Sequence, residues 1–229
     1  MSALQDFALR DDAPLAYRRT RFDGTPSRLL VLVHGVGGNE TNLIGLGEAL
    51  ADDALVVFPR GPLTMAPGQY AWFPVRFGPN GPQMDFEQAQ RSNAALQDFI
   101  AVLQARHGIA PEQTIVAGFS QGGIMSASVA LTAPALVGGF AVLAGRILPE
   151  IEAHAGPAEA LRTLDGLVIH GELDDKLPVA WAERADAMLT RLGVPHRVLL
   201  HGGGHELPPE AQQAFAAWCR GTTGTRTPG

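Results

Sequence analysis

A single cysteine, Cys219, stands among 229 residues, which leaves no intrachain disulfide, no cysteine-rich zinc site and no CxxC redox pair. Lysine is as scarce, with Lys176 alone against sixteen arginines. No Gly-Lys-Ser/Thr triplet occurs, so phosphate chemistry of the P-loop kind is excluded. Long apolar runs are also missing. The longest, 135–144, has ten residues with two glycines inside it, the length of a buried strand and far short of a membrane span. The opening stretch MSALQDFALRDD reaches acidic residues before any apolar run of signal-peptide length, so a soluble, cytoplasmic chain is expected. Charged residues make up 17 % of the chain, with a formal net charge of −6. A mildly acidic surface of this kind argues against nucleic acid or an anionic membrane as partner.

Apolar residues, at 46 %, are plentiful. A chain of this length buries about 70 % of the surface its unfolded form exposes, so neither disulfide nor metal is needed to hold it. No linker or internal repeat divides it, and the expected organisation is one domain over 1–219 followed by a flexible tail, 220–229. Strand-length apolar runs recur at 29–33, 55–58, 114–117, 137–144, 167–169 and 197–200. They are nearly continuous in apolar character, as in a mostly parallel sheet covered by helices on both faces. Helical periodicity fills the gaps at 85–107, 121–131, 178–192 and 209–219. The fold class is therefore α/β, with right-handed crossovers. Residues 7–9 and 17–22 are expected to form an antiparallel edge pair. The stretch 59–84 departs from the rhythm, with six prolines, four glycines and the aromatics Tyr70, Trp72, Phe73 and Phe77. It reads as a long loop of the functional kind.

The strongest chemical signal is Gly118-Phe119-Ser120-Gln121-Gly122. It directly follows an apolar strand and directly precedes a helix, so the serine occupies a sharp turn that lifts its hydroxyl above the sheet edge. A serine hydroxyl needs a base, and the base needs an orienting acid. Of seven histidines, His205 has the reach, lying beyond three glycines in the loop after the last strand, with His201 in reserve. For the acid, Glu172, Asp174 and Asp175 follow strand 167–169, while Asp165 precedes it and so lies at the wrong edge. Spacing alone does not separate Asp174 from Asp175, and the pair could equally cap a helix ahead of Pro178. Acyl transfer also needs donors for an oxyanion, and the backbone amides of Val36, in His34-Gly35-Val36-Gly37-Gly38, and of Gln121 are positioned to supply them.

Taken together, HGVGG, Trp72-Phe73, GFSQGG, HGELDD and GGGHE resemble the carboxylesterase/phospholipase family of small α/β-hydrolases, which includes acyl-protein thioesterases. The likeness runs from about Arg28 to Ala217. It implies the α/β-hydrolase fold without a large lid domain, the acid on Asp174, the base on His205 and the oxyanion donors on Val36 and Gln121. Leucine is usual where Val36 stands, and the aromatic loop is shorter than in the family.

The function so implied is a serine carboxylesterase, an acyl hydrolase of short- to medium-chain esters or thioesters acting through Ser120, His205 and Asp174. It uses no cofactor and no metal, and its activity rises with pH through roughly 6 to 7. Trp72 and Phe73 either line the substrate pocket or anchor their loop to the core. The partner is a small ester, and a homodimer is left open.

Rival readings have weaker support. A dienelactone-hydrolase-like enzyme usually carries cysteine at the elbow. A zinc hydrolase suggested by His205-Glu206 lacks a second histidine at the required spacing. A non-catalytic binding module would have lost one of the three residues. A dinucleotide site is poorly supported, since Glu40 or Leu50 stands where the third glycine should be.

Overall fold

The computed structural model describes residues 7–22, 24–52, 54–78 and 81–222. In chain order the elements are β1 (Tyr17–Arg19), β2 (Leu29–Val33), α1 (Ile44–Glu48), β3 (Leu55–Pro59), β4 (Leu63–Ala66), β5 (Gln69–Ala71), β6 (Val75–Gly78), β7 (Gly81–Met84), α2 (Phe86–His107), β8 (Thr114–Phe119), α3 (Gln121–Thr132), β9 (Gly139–Leu143), α4 (Ala158–Leu161), β10 (Asp165–Gly171), α5 (Ala180–Leu192), β11 (His196–His201) and α6 (Pro209–Thr222). Seven strands form one sheet in the order β1-β3-β2-β8-β9-β10-β11. All neighbours pair in parallel except β1, which runs antiparallel to β3.

The continuous apolar runs follow from burial on both faces. Leu29, Val31 and Val33 of β2 enter one core cluster and Leu30 and Leu32 the other, because successive side chains of a strand point to opposite faces. Helices α2, α3, α4 and α5 supply the first cluster, while α1 and α6 supply the second. Cys219 lies on α6 in this second cluster, 2 % exposed, and burial pushes its thiol up to about 12. Helix ends obey local chemistry. The Asp85 side chain accepts a hydrogen bond from the Gln88 amide at 2.9 Å, and Gly108 and Gly193 close α2 and α5 at φ +66° and +70°. Left-handed caps of this kind favour glycine. Among the described residues no helix is long and apolar enough to cross a membrane.

Several expectations are corrected. Residues 7–9 form no strand. Arg10 makes a single bridge to Tyr17, and β1 pairs instead with β3, whose buried residues need a covered edge and gain one as Tyr17 is buried to 2 % exposure. The stretch 59–84 is not a loop without regular structure but two small antiparallel hairpins, β4–β5 and β6–β7. Gly68, at φ +74°, makes the turn of the first. Short hairpins away from the main sheet accept prolines at positions that donate no ladder bond, which is why the composition concealed them. The last helix runs on through Thr222, into the stretch expected as tail, with Thr222 Oγ1 donating to Asp165 at 3.0 Å. Residues 223–229 of that tail and the side chain of Phe77 lie outside the described residues.

Candidate active site

Ser120 ends β8 and begins α3. Its backbone sits at φ +55° and ψ −116°, a region that costs a residue bearing a side chain about 1–3 kcal/mol. Hydrogen bonds hold it there: its amide donates to Leu143 O on β9 at 2.8 Å, and its carbonyl accepts from Gly123 and Ile124. The flanking glycines are sterically required. A Cβ on Gly118 would lie 2.2 Å from Gly122, and one on Gly122 would lie 2.0 Å from the Val33 carbonyl oxygen. Strand and helix approach this closely only because neither residue carries a side chain.

His205 and Asp174 come from loops that follow β11 and β10 at the same sheet edge. His205 Nδ1 is 2.7 Å from Asp174 Oδ2, and His205 Nε2 is 3.0 Å from Ser120 Oγ. Asp174 Oδ1 accepts from the amides of Lys176 (2.9 Å) and Leu177 (2.8 Å). Burial pushes the Asp174 carboxyl up, but those amides and the His205 ring together hold it below the ordinary carboxylate value. An ionised Asp174 accepts only, so Nδ1 carries the ring proton and Nε2 accepts from the serine hydroxyl. The orientation of the imidazole is thus dictated by the acid.

The two aspartates that spacing could not separate differ completely. Asp174 is 5 % exposed and both orients His205 and accepts the amides of its own turn. Asp175 is exposed and pairs with Lys176 at 3.2 Å. His201, the reserve base, is 9 % exposed at the end of β11 and accepts from the Gly203 amide at 3.1 Å. Gly171 allows the two loops to meet, since a Cβ there would fall 2.2 Å from the Gly204 carbonyl oxygen.

Val36 and Gln121 flank Ser120 on the wall of a cavity of about 400 Å³ that also contains His205. Among the described residues, neither backbone amide has a protein acceptor. A second cavity of about 570 Å³ lies across Val36 and Phe119, which line both.

The aromatic pair divides. Trp72 is fully buried; its indole donates to the His34 carbonyl at 3.0 Å and it lines neither cavity. Phe73 lines the cavity that holds Ser120. Between them the side chain of Gln121 acts as a clasp: its Oε1 accepts from the Trp72 amide and its Nε2 donates to the Phe73 carbonyl, both at 2.8 Å. The first hairpin also fixes the glycine-rich loop, since Gly37 donates to Tyr70 O and Tyr70 donates to Gly38 O, each at 2.8 Å.

Three supporting residues escaped the sequence reading. His34 is 1 % exposed; Gly61 N–H donates to its Nε2 at 2.9 Å, so its Nδ1–H donates to Gly35 O at 2.7 Å. Burial lowers its pKa, and the Gly61 donor further excludes a protonated ring. His170 donates from Nε2 to the Leu177 carbonyl at 2.7 Å and so braces the turn that carries Asp174. Glu40 is held by Arg60 through two hydrogen bonds, at 2.7 and 2.8 Å, and by Arg18 at 3.2 Å. The paired His-Gly dipeptides at strand ends were the available signal for the histidines. Nothing in the spacing marked Glu40.

A parallel sheet flanked by helices, with a serine on the turn after its central strand β8, defines an α/β-hydrolase. The phospholipase/carboxylesterase family model matches residues 22–220, and the chain belongs to that family; it is a hydrolase. It is similar to acyl-protein thioesterase 1 of Eremothecium gossypii, 28 % identical over 198 residues covering 79 % of this chain and 81 % of that protein. It is also similar to esterase YpfH of Escherichia coli (strain K12), 32 % identical over 180 residues covering 75 % of this chain and 72 % of the relative. The crystal structure of a carboxylesterase from Mesorhizobium loti shares the fold with a TM-score of 0.81 at 24 % identity, over 95 % of this chain and 100 % of the other.

Proposed function

We propose that this hydrolase cleaves short- to medium-chain carboxylic esters and thioesters through an acyl-enzyme on Ser120. The observation that carries the reading is the unbroken hydrogen-bonded series from Ser120 Oγ through His205 to Asp174, at 3.0 and 2.7 Å. Ser120 attacks the carbonyl carbon while His205 Nε2 takes its proton. Asp174 keeps the imidazole in the tautomer that can do so and stabilises the imidazolium that forms. The amides of Val36 and Gln121 receive the negative charge on the carbonyl oxygen, and each such donor contributes about 3 kcal/mol in the transition state. His205 then protonates the leaving alcohol or thiol. In the second half it removes a proton from water, which attacks the acyl-enzyme and releases the acid.

The reading of a short to medium chain is supported by the cavity of about 400 Å³ beside Ser120, walled by Phe73, Val75, Ile124 and Leu177, an apolar space suited to acyl groups of that size. Thioester cleavage is supported by the likeness to acyl-protein thioesterase 1, and the mechanism requires no change for a sulfur leaving group. A fluorophosphonate should label Ser120 stoichiometrically, and Ser120→Ala should lower kcat on 4-nitrophenyl acetate by at least ~10⁴-fold. Turnover at the wild-type rate in that variant would refute the assignment.

A further inference from the structure

Apolar residues dominate the wall beside Ser120, yet Arg146 lines it too. Arg146 is 9 % exposed, and a guanidinium so deeply buried is ordinarily matched by a carboxylate. Among the described residues no carboxylate lies within ion-pair distance of it. Among the described residues its one side-chain hydrogen bond runs from Nη2 to the Met84 sulfur at 3.1 Å, a weak acceptor, and its Cζ lies over the Trp181 ring, 4.3 Å from the ring centre. Arg184 stacks on the same indole at 4.5 Å, which adds positive charge. Glu150 acts on Arg146 only at longer range, and burial pulls the guanidinium below its ordinary pKa.

The backbone brings this charge to the site deliberately. β9 ends at Leu143, and Ala144 adopts φ +47°, a left-handed conformation that is unfavourable for alanine. Gly145 then packs so closely under Ser120 that a Cβ would stand 2.9 Å from the Ser120 carbonyl oxygen. Arg146 follows at once. Lys176 lines the same cavity, but it is largely exposed and already pairs with Asp175.

We propose that Arg146 recognises a carboxylate carried by the ester, so that the preferred substrates are half-esters or half-thioesters with an apolar spacer and an anionic end. This rests on the reading of Ser120 as nucleophile and adds the substrate class. The planar guanidinium, already oriented by Trp181 and shielded from water, suits two-point binding of a carboxylate. Trp181 and Met84 hold the cation in place without neutralising it.

The test compares anionic esters with neutral partners of the same shape. 4-Nitrophenyl hydrogen adipate against its methyl-capped counterpart puts the charge on the acyl side; 4-acetoxybenzoate against its methyl ester puts it on the leaving group. The wild type should favour the anion at least tenfold in kcat/KM in one pair, and that pair identifies the side. Arg146→Gln should reduce the ratio tenfold or more, mainly through KM, and Arg146→Lys should restore part of it. A role confined to packing against Trp181 would leave the ratio unmoved. Equal rates on both members of both pairs, or a ratio unchanged in Arg146→Gln, would overturn the proposal. If Arg146→Gln does not fold, the wild type decides: adipate should slow labelling of Ser120 by a fluorophosphonate and adipamide should not, and equal effects refute the idea. Hydrolysis of the neutral esters and the labelling itself report on Ser120 separately, so the two readings fail independently.

Discussion

Two buried carboxylates sit at opposite parts of this sheet edge, and they are kept ionised by different means. Glu40 is held by formal charge: Arg60 grips both its oxygens and Arg18 adds a third contact. Burial pushes the Glu40 carboxyl up, and the arginines overcome that to bring it to about 2. Asp174 has no arginine. Two backbone amides occupy one of its oxygens, which leaves the other facing His205. A carboxylate saturated by cations can only stabilise. One satisfied on a single side by fixed dipoles retains an oxygen with which to orient an imidazole. The first ties β1, the base of the hairpins and the glycine loop together, and the second sets the proton position on which the proposed chemistry depends.

Substitution should separate the two. Asp174→Asn keeps the shape and an oxygen for the two amides but favours the wrong imidazole tautomer, so kcat should fall about 10⁴-fold while the melting temperature changes little. Retention of more than a tenth of the activity would show that orientation of His205 does not need this charge. Glu40→Gln should do the reverse, leaving two arginines partly unmatched at a cost of about 3 kcal/mol. At about 2–4 °C per kcal/mol for a chain of this size, thermal unfolding should move down by roughly 6–12 °C. The rate per folded molecule should remain within a few-fold.

Acid provides a milder test of the same contrast. Glu40 is depressed from 4.5 to about 2 on folding, so its contribution is complete above the unfolded value and is lost as pH falls through that range towards 2. Denaturant titrations between pH 5 and 2.5 should show stability falling with acid in the wild type and falling less steeply in Glu40→Gln. Identical slopes would mean that the arginine cluster is not the acid-sensitive element. The smallest effect is expected at Asp175→Asn, where an exposed pair with Lys176 is lost. Stability should change by no more than about 0.5 kcal/mol and kcat by less than twofold. A large loss there would mean that the two adjacent aspartates had been assigned to the wrong roles.

Much of this architecture was legible beforehand, and the reasons are local. Strands β2, β8, β9 and β10 are buried on both faces, so their apolar runs stand out, and Gly108 and Gly193 mark helix ends that need a left-handed residue. Gly118 and Gly122 are readable because the crossing of strand and helix excludes any side chain. The choice between Asp174 and Asp175 was not readable from spacing, since identical neighbours differ only in which one the turn directs inward. The hairpins at 59–84 were hidden because their strands are only three or four residues long, and those of the first carry one buried residue between them. Trp72 and Phe73 are adjacent and equally buried, yet one is an anchor and the other a wall; what distinguishes them is the Trp72 indole bond to the His34 carbonyl and the place of Phe73 on the cavity wall, neither of which spacing reveals. Arg146 follows no periodicity and belongs to no motif, and its position depends on one unusual backbone angle at Ala144.

The hydrogen bond between Ser120 and His205 spans 85 positions of chain, and the acid arrives from a third segment between them. Under the proposed mechanism no contiguous fragment short of this span is competent, and β11 must dock at the sheet's far edge before the imidazole meets its hydroxyl. During refolding, regain of hydrolysis should therefore trail regain of helical signal, making turnover a clock for the final assembly step.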